Sequence, residues 1–417
     1  MKIVNSILYI LIATTFFAQT PPLQPGFGPG SSNYLHNGVI FSDFTTLFSG
    51  DGYWLFEPNN PKPDSSDVIV FNHGYGVFNP GPYGQWIGHL VRKGNIVIFP
   101  KYQVSDLSLP NTYTPNAIIG IQDAFTELQT NPNRVKPRME HYAIIGHSYG
   151  GVITSNIVTE YATYGLPKPQ CFMLCQPGTG GLNTGRLTTY SGMETDYKAL
   201  IVVGNDDIIV GDAFGREIMD STNIPTTQKN YITHFADNYG SPIIEASHNE
   251  PLASNNTYDG GTVSTVITGG YVASKLDAVD FYCYWKLADA LLQCTFYGNF
   301  CEYAFGDTPE QRNMGFWSDG TPVIPLVVEP ASFVSVQENW SNSNIEIYPN
   351  PAVNSIRIQL EKKQSFEFNV YDINGRMIKS AVVDKSNSID VSYLISGIYI
   401  IEITVNSTKY YKKLIKE

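Results

Sequence analysis

The sequence predicts an α/β domain built on a mostly parallel sheet covered by helices, followed by a small all-β sandwich of immunoglobulin-like type. Three observations predict it. From Gly38 onward, short continuous apolar runs alternate with amphipathic helical patterns, as expected of strands buried on both faces. After about Ala331 the charge and composition shift, and short alternating runs follow, punctuated by turn pairs such as Asn374-Gly375 and Ser396-Gly397. The 417 residues are also more than one ordinary domain needs. With 42% hydrophobic and 15% charged residues, 27 Tyr and 22 Phe, the chain can bury a sizeable core.

Taken in order, Met1 to about Gln19 carries Lys2, the apolar run Ile7 to Ala13 and then Phe16-Phe17-Ala18. This reads as a secretory signal peptide over residues 1–19 cut after Ala18, too short to span a bilayer. No later run is long and apolar enough for a membrane helix. Pro21 to Ser32 is rich in Pro, Gly and Ser and reads as a leader without fixed structure at the start of a main domain, 20–331. Gly52 to Phe56, Asp67 to Phe71 and Asn95 to Phe99 are strand candidates, with a helical pattern from Tyr83 to Arg92 between the last two. A long amphipathic segment, Asn116 to Gln129, leads to the apolar run Tyr142 to Ile145. Cys171 to Cys175 and Ala199 to Val203 are two further buried strands. The segment Gly178 to Lys198 between them is too short for a cap domain, which predicts a fairly open cleft. Asp280 to Gln293 is expected to form a helix packed on the sheet through Phe281, Tyr284 and Trp285. Ser332 to Asn344 reads as a linker, and 345–417 as the sandwich.

The net charge of -12 argues against phosphate-backbone binding, which needs clustered Lys and Arg, so no nucleic-acid partner is expected. From Asn344 onward the tail is slightly basic, with ten Lys/Arg against eight Asp/Glu, so the preceding residues hold -14. Five cysteines in an exported chain permit disulfides and leave one thiol over. Cys171 and Cys175 lie about 13 Å apart on one strand, and Cys283 and Cys294 lie on one helix, so neither pair can bond. Cys294 and Cys301, across the turn Tyr297-Gly298-Asn299, are the reachable pair. No Cys or His spacing resembles a zinc site, and no metal or cofactor is called for.

The chemistry centres on Gly146-His147-Ser148-Tyr149-Gly150. An apolar strand precedes it and a helical pattern follows, the context in which Gly-x-Ser-x-Gly forms a tight turn with an exposed serine. Side chains at Gly146 and Gly150 would collide there. A nucleophilic serine needs a base and an orienting acid at the same edge of the sheet. Of seven histidines, His36 and His89 precede the serine on unrelated segments. His141 sits at the wrong end of its strand, and His147 lies inside the turn and points elsewhere. His234 falls in the alternating run Asn230 to Thr233 and reads as a sheet residue. His248 is preferred: it follows Ser241 to Ser247, read as an apolar strand ending in a loop. The acid is expected where Ala199 to Val203 ends; Asp207 fits the spacing, with Asp206 as the alternative. Two backbone N–H groups complete an oxyanion hole, each worth about 3 kcal/mol of barrier. Tyr149 supplies one and Tyr75, in His73-Gly74-Tyr75-Gly76, the other.

The order Ser148, Asp207, His248, with the turn and the His-Gly-Tyr-Gly loop, resembles the α/β-hydrolase family over roughly Gly38 to Val328. The resemblance implies a serine hydrolase that cleaves small-molecule or polymeric carboxylic esters through an acyl-enzyme. The Ser nucleophile argues against the family's dehalogenases and epoxide hydrolases, which use Asp. The loop, the uncapped cleft and export are similar to the dienelactone hydrolase, chlorophyllase and cutinase-like branches. Secreted polyester hydrolases of that kind usually have Met after the serine and Trp after the next strand. Tyr149 and Gln176-Pro177-Gly178 stand in those places, which leaves a polyester hydrolase of cutinase-like type as an alternative rather than the leading expectation. A peptidase or amidase would share the triad, and a surface-displayed binding protein on the same scaffold is the reading from another class. The tail motifs Ile347-Tyr348-Pro349-Asn350-Pro351, Val370 to Gly375, Ile389 to Ser392 and Gly397-Ile398-Tyr399 resemble the C-terminal sorting domain of the type IX secretion system. That resemblance implies export through the periplasm by that machinery, to the cell surface or beyond.

Overall fold

The computed structural model describes residues 18–329, 345–360, 365–372, 377–383, 388–405 and 408–417. The expected signal peptide up to residue 17, the linker and the Asn374-Gly375 turn lie outside these. Two compact units divide at Ala331 and Ser332, where the composition shifts.

The first unit runs β1 (Gly38–Asp43), β2 (Tyr53–Asn59), β3 (Ser65–Asn72), α1 (Gly84–Arg92), β4 (Asn95–Pro100), α2 (Tyr113–Thr130), β5 (Lys136–His147) and α3 (Tyr149–Glu160). It continues with β6 (Cys171–Cys175), β7 (Lys198–Gly204), α4 (Ala213–Ser221), β8 (Lys229–His234), α5 (Thr265–Ala273), α6 (Trp285–Tyr297) and β9 (Val327–Glu329). Among the described residues these strands form one nine-stranded sheet in the order β1-β2-β4-β3-β5-β6-β7-β8-β9. From β4 to β8 the pairing is parallel; β1, β2 and β9 join antiparallel. The continuous apolar runs are explained by burial on both faces. Val68, Val70, Ile96, Ile98, Ile144 and Leu174 face one core, and Ile69, Phe71, Val97, Phe99, Ile145 and Met173 face the other.

The chain passes outward from β3 to β4, then returns to lay β5 on the other side of β3 and continues away to β8. Strand order therefore reverses between β3 and β5, which opens a crevice at their carboxyl ends. The loop 73–76 and Ser148 emerge there.

Several expectations need correction. The leader is docked: Gly30 N–H donates to Asp289 Oδ2 (2.8 Å), and Leu23 O accepts from the Tyr282 hydroxyl (3.0 Å). Partners far along the chain, one of them the buried Asp289, thus order a segment whose composition suggests no structure. Ser241 to Ser247 is not a strand; a single bridge between Asp237 and Ile244 is all that pairs there, because Ser241-Pro242 interrupts the ladder. The expected helix at Asp280 opens with a π-helical turn, Asp280–Tyr284, before α6. Cys294 and Cys301 are bonded with Cα atoms 4.7 Å apart, and three cysteines rather than one stay free: Cys171, Cys175 and Cys283, all buried.

The tail forms two antiparallel sheets over one apolar core. One holds β10 (Glu346–Tyr348), β11 (Ser355–Gln359) and β14 (Ser388–Asp390). The other holds β12 (Phe366–Asp372), β13 (Met377–Val383), β15 (Gly397–Val405) and β16 (Thr408–Lys416). Ile356 and Ile358 from the first meet Phe368, Val370, Ile401 and Ile403 from the second, the period-2 burial that the alternation predicts.

Candidate active site

Ser148 sits between β5 and α3 with φ 55° and ψ −123°, a conformation that costs a non-glycine residue on the order of 1–3 kcal/mol. Its surroundings allow no relaxation. A Cβ at Gly146 would lie 2.3 Å from the Gly150 carbonyl oxygen, and one at Gly150 would lie 2.1 Å from the Asn72 carbonyl oxygen at the end of β3. The Ser148 N–H donates to Cys175 O (2.9 Å), and its carbonyl accepts from Gly151 N (2.9 Å), so the turn is fixed on both sides. Only 6% of Ser148 is exposed.

The structure brings His248 and Asp207 to this serine. His248 Nε2 is 2.9 Å from Ser148 Oγ, and His248 Nδ1 is 2.7 Å from Asp207 Oδ2. A carboxylate only accepts, so Nδ1 carries the proton and Nε2 is left to accept from the serine hydroxyl. Asp207 Oδ1 accepts from the N–H groups of Ile209 (2.9 Å) and Val210 (3.1 Å) in the loop after β7. Burial alone would raise this carboxyl; the His248 hydrogen bond and charge, with the two N–H groups, hold it below the usual range. Asp206, the alternative, is exposed, and among the described residues its carboxylate accepts from the neighbouring Asn205. His234 ends β8 and donates to or accepts from Tyr284 Oη (3.0 Å), away from the serine.

The loop 73–76 lies against the serine, for a Cβ on Gly74 would be 3.3 Å from Ser148 Cβ. Its geometry is set by buried partners: Gly76 N–H donates to Gln103 Oε1 (2.8 Å) and Gly74 N–H to Tyr83 Oη (2.8 Å). Among the described residues the N–H groups of Tyr75 and Tyr149 donate to no protein acceptor.

Sequence reasoning missed the residues that tie these parts together. His147 does not point elsewhere: its Nδ1 accepts from the Tyr83 hydroxyl (2.8 Å), and its Nε2 donates to the carbonyl of His248 (2.9 Å). Burial, then the neighbouring His248, pushes it down to about 3, so the ring stays neutral and one tautomer serves both bonds. Tyr83 thereby joins the loop 73–76 to the histidine. Glu250 is the second omission. Ser247 Oγ (2.7 Å) and Ser247 N–H (3.3 Å) both donate to Glu250 Oε1, two bonds that close the turn holding His248. Burial raises the Glu250 carboxyl to about 7. Ser-x-x-Glu over Ser247 to Glu250 was the available signal. α5, from a later segment than Gly178 to Lys198, borders the cleft with Val266, Gly269 and Gly270.

Residues 346–417 match the family model described as the secretion system C-terminal sorting domain. The chain is a secreted or cell-surface protein. The sorting domain implies the type IX secretion machinery as a partner, and among the described residues no helix is long and apolar enough to cross a membrane. The search of curated proteins finds no match.

Proposed function

We propose that the first unit is a serine hydrolase of α/β-hydrolase fold that cleaves carboxylic esters. The observation that carries this reading is the continuous hydrogen-bond chain from Ser148 Oγ through His248 to Asp207 at the strand-order reversal. His248 Nε2 takes the hydroxyl proton as Oγ attacks the acyl carbon. The tetrahedral oxyanion is received by the free N–H groups of Tyr75 and Tyr149, and its collapse expels the alcohol with the proton from His248. Water then repeats the sequence on the acyl-enzyme and restores Ser148. Asp207 keeps Nδ1 protonated throughout and stabilises the imidazolium.

Replacing Ser148 by Ala tests the reading. It is expected to abolish hydrolysis of a short p-nitrophenyl ester and labelling by a fluorophosphonate, with the thermal transition kept. A wild-type protein that resists the fluorophosphonate would instead favour a binding protein on this scaffold.

A further inference from the structure

A cavity of about 360 Å³ opens beside Ser148. Val77 from the loop after β3, Ile209 from the loop after β7, Leu252 from the turn holding His248, and Val266, Gly269 and Gly270 from α5 supply its non-catalytic walls. Among the described lining residues none is Asp, Glu, Lys or Arg. Its polar groups are those of the candidate machinery and Asn249, and the hydrogen bonds of His147 are already committed to Tyr83 and His248.

The wall supplied by α5 is unusual in composition and firmly attached. From Gly260 to Ser274 the chain carries no charged residue. Ser264 caps the helix by accepting from Ile267 N–H (3.1 Å). The approach to it is pinned to the loop 73–79, because Asn79 Nδ2 donates to Thr262 O and to Asp259 Oδ1, both at 2.9 Å. Val266 packs so closely on that loop that a Cβ at Gly76 would lie 2.6 Å from its Cγ1. Positions 266, 269 and 270 share one helix face, and it faces the cavity. Gly269 lines the cavity and is exposed, and a Cβ there would meet nothing within 4 Å, so the position has room for a larger residue at the cavity's edge.

Resting on the ester-hydrolase reading, we infer that this cavity holds one arm of the ester as an uncharged aliphatic chain, and that α5 sets the length it accepts. A carboxylate at the end of that chain would lose its hydration with no cation in the wall to replace it, on a chain already carrying a net charge of -12. Among the described lining side chains outside the candidate machinery, a polar arm would find only Asn249 as a partner.

The test uses the full chain and two substrate series. On the acyl side these are p-nitrophenyl acetate, p-nitrophenyl octanoate and the p-nitrophenyl monoester of suberic acid, which matches the octanoate in length and ends in a carboxylate. On the alcohol side these are ethyl and octyl acetate. The inference expects kcat/KM for octanoate over suberate to be at least 100-fold, and the octyl arm to be favoured at least tenfold over the short one in one of the two series. Gly269→Leu should reduce that preference at least tenfold; leucine also replaces a weak helix former, so α5 is not put at risk. A suberate ester cleaved as fast as the octanoate overturns the inference. So do ratios in both series that Gly269→Leu leaves unchanged. In each of those outcomes fluorophosphonate labelling of Ser148 still occurs, whereas its absence would remove the underlying reading and the inference with it.

Discussion

Ser148 leaves a strand of the central sheet and is held by backbone with nowhere else to go, whereas His248 lies in irregular chain beyond β8, where Ile244, Leu252 and Ala253 pack into the core and hydrogen bonds set the ring. At the serine, carbonyl oxygens crowd Gly146 and Gly150 from both sides. At the histidine, Asp207, the carbonyl bonded to His147, and the Ser247–Glu250 side-chain bond fix the ring's position. The first arrangement fails by unfolding when a methyl group is added. The second fails by a misplaced proton, with the fold intact. The two regions should therefore answer different measurements.

The largest effect is expected at the histidine, from Asp207→Asn. Asn Oδ1 can still accept from Ile209 and Val210, which turns its NH2 toward His248 Nδ1. Nδ1 must then accept, the ring proton moves to Nε2, and Ser148 loses its base. A fall in kcat of about 10³–10⁴-fold, with a thermal midpoint near that of wild type, is the expectation. Loss of less than tenfold would break the assignment of Asp207.

Gly150→Ala attacks the other region. Its methyl would sit 2.1 Å from Asn72 O and 2.4 Å from His73 O, both backbone, so β3 and α3 must part. About 3 kcal/mol of stability should be lost, read from the urea midpoint. A variant as stable as wild type would show that the turn yields, and that the contrast with the histidine loop is overdrawn.

The same contrast explains what could be read from residues alone. The serine turn was legible because sterics leave so few sequences for it: strand, Gly-x-Ser-x-Gly and helix describe Ser148 and its neighbours almost completely. The two cores were legible for a similar reason, since apolar runs such as Val68 to Phe71 have no other place to go. The histidine loop was not. His248 can be chosen by elimination, but the apolar residues of Ser241 to Ser247 suggest a strand that Pro242 prevents, since it cannot donate to the ladder. Tyr83, His147 and Glu250 act through bonds between segments distant in sequence, and no local pattern ties Tyr83 to Gly74 and His147 at once. The docked leader was missed likewise, for its partners Tyr282 and Asp289 lie far along the chain.

Glu250→Gln sharpens the comparison by separating the hydrogen bond from the charge. Gln Oε1 can accept from Ser247 as the carboxylate does, so His248 should stay in place. The pH dependence of stability should change. In the folded state Glu250 titrates at about 7, against about 4.3 for an unperturbed glutamate, so between those values the native state keeps a proton that the unfolded chain has released. Stability therefore falls as pH rises through that window. Removing the charge should recover about 2–3 kcal/mol at pH 8 relative to pH 5, measured from denaturant midpoints at both values. Asp277 and Asp280, both raised chiefly by burial, keep a residual slope of the same sign. Identical slopes for variant and wild type would place the titrating group elsewhere. Asp207 acts oppositely: held below the usual range, it adds stability above the unfolded aspartate value that is lost as pH falls through its own.

Tyr83→Phe asks whether the two regions are mechanically separate at all. The hydroxyl receives Gly74 N–H and gives its proton to His147 Nδ1, whose other nitrogen holds the carbonyl of His248. Phenylalanine keeps the packing against Phe71 but leaves the Gly74 N–H and His147 Nδ1 unpaired. His147 is then free to take the other tautomer and release the His248 carbonyl. One such bond is worth about 1–1.5 kcal/mol, so kcat should fall roughly tenfold with KM little changed. Because the chain touches both the loop beside the serine and the backbone of the histidine, the rate of fluorophosphonate labelling should fall with kcat. If kcat drops while labelling holds its rate, the Tyr83 bond serves the oxyanion loop alone, and serine and histidine are positioned independently.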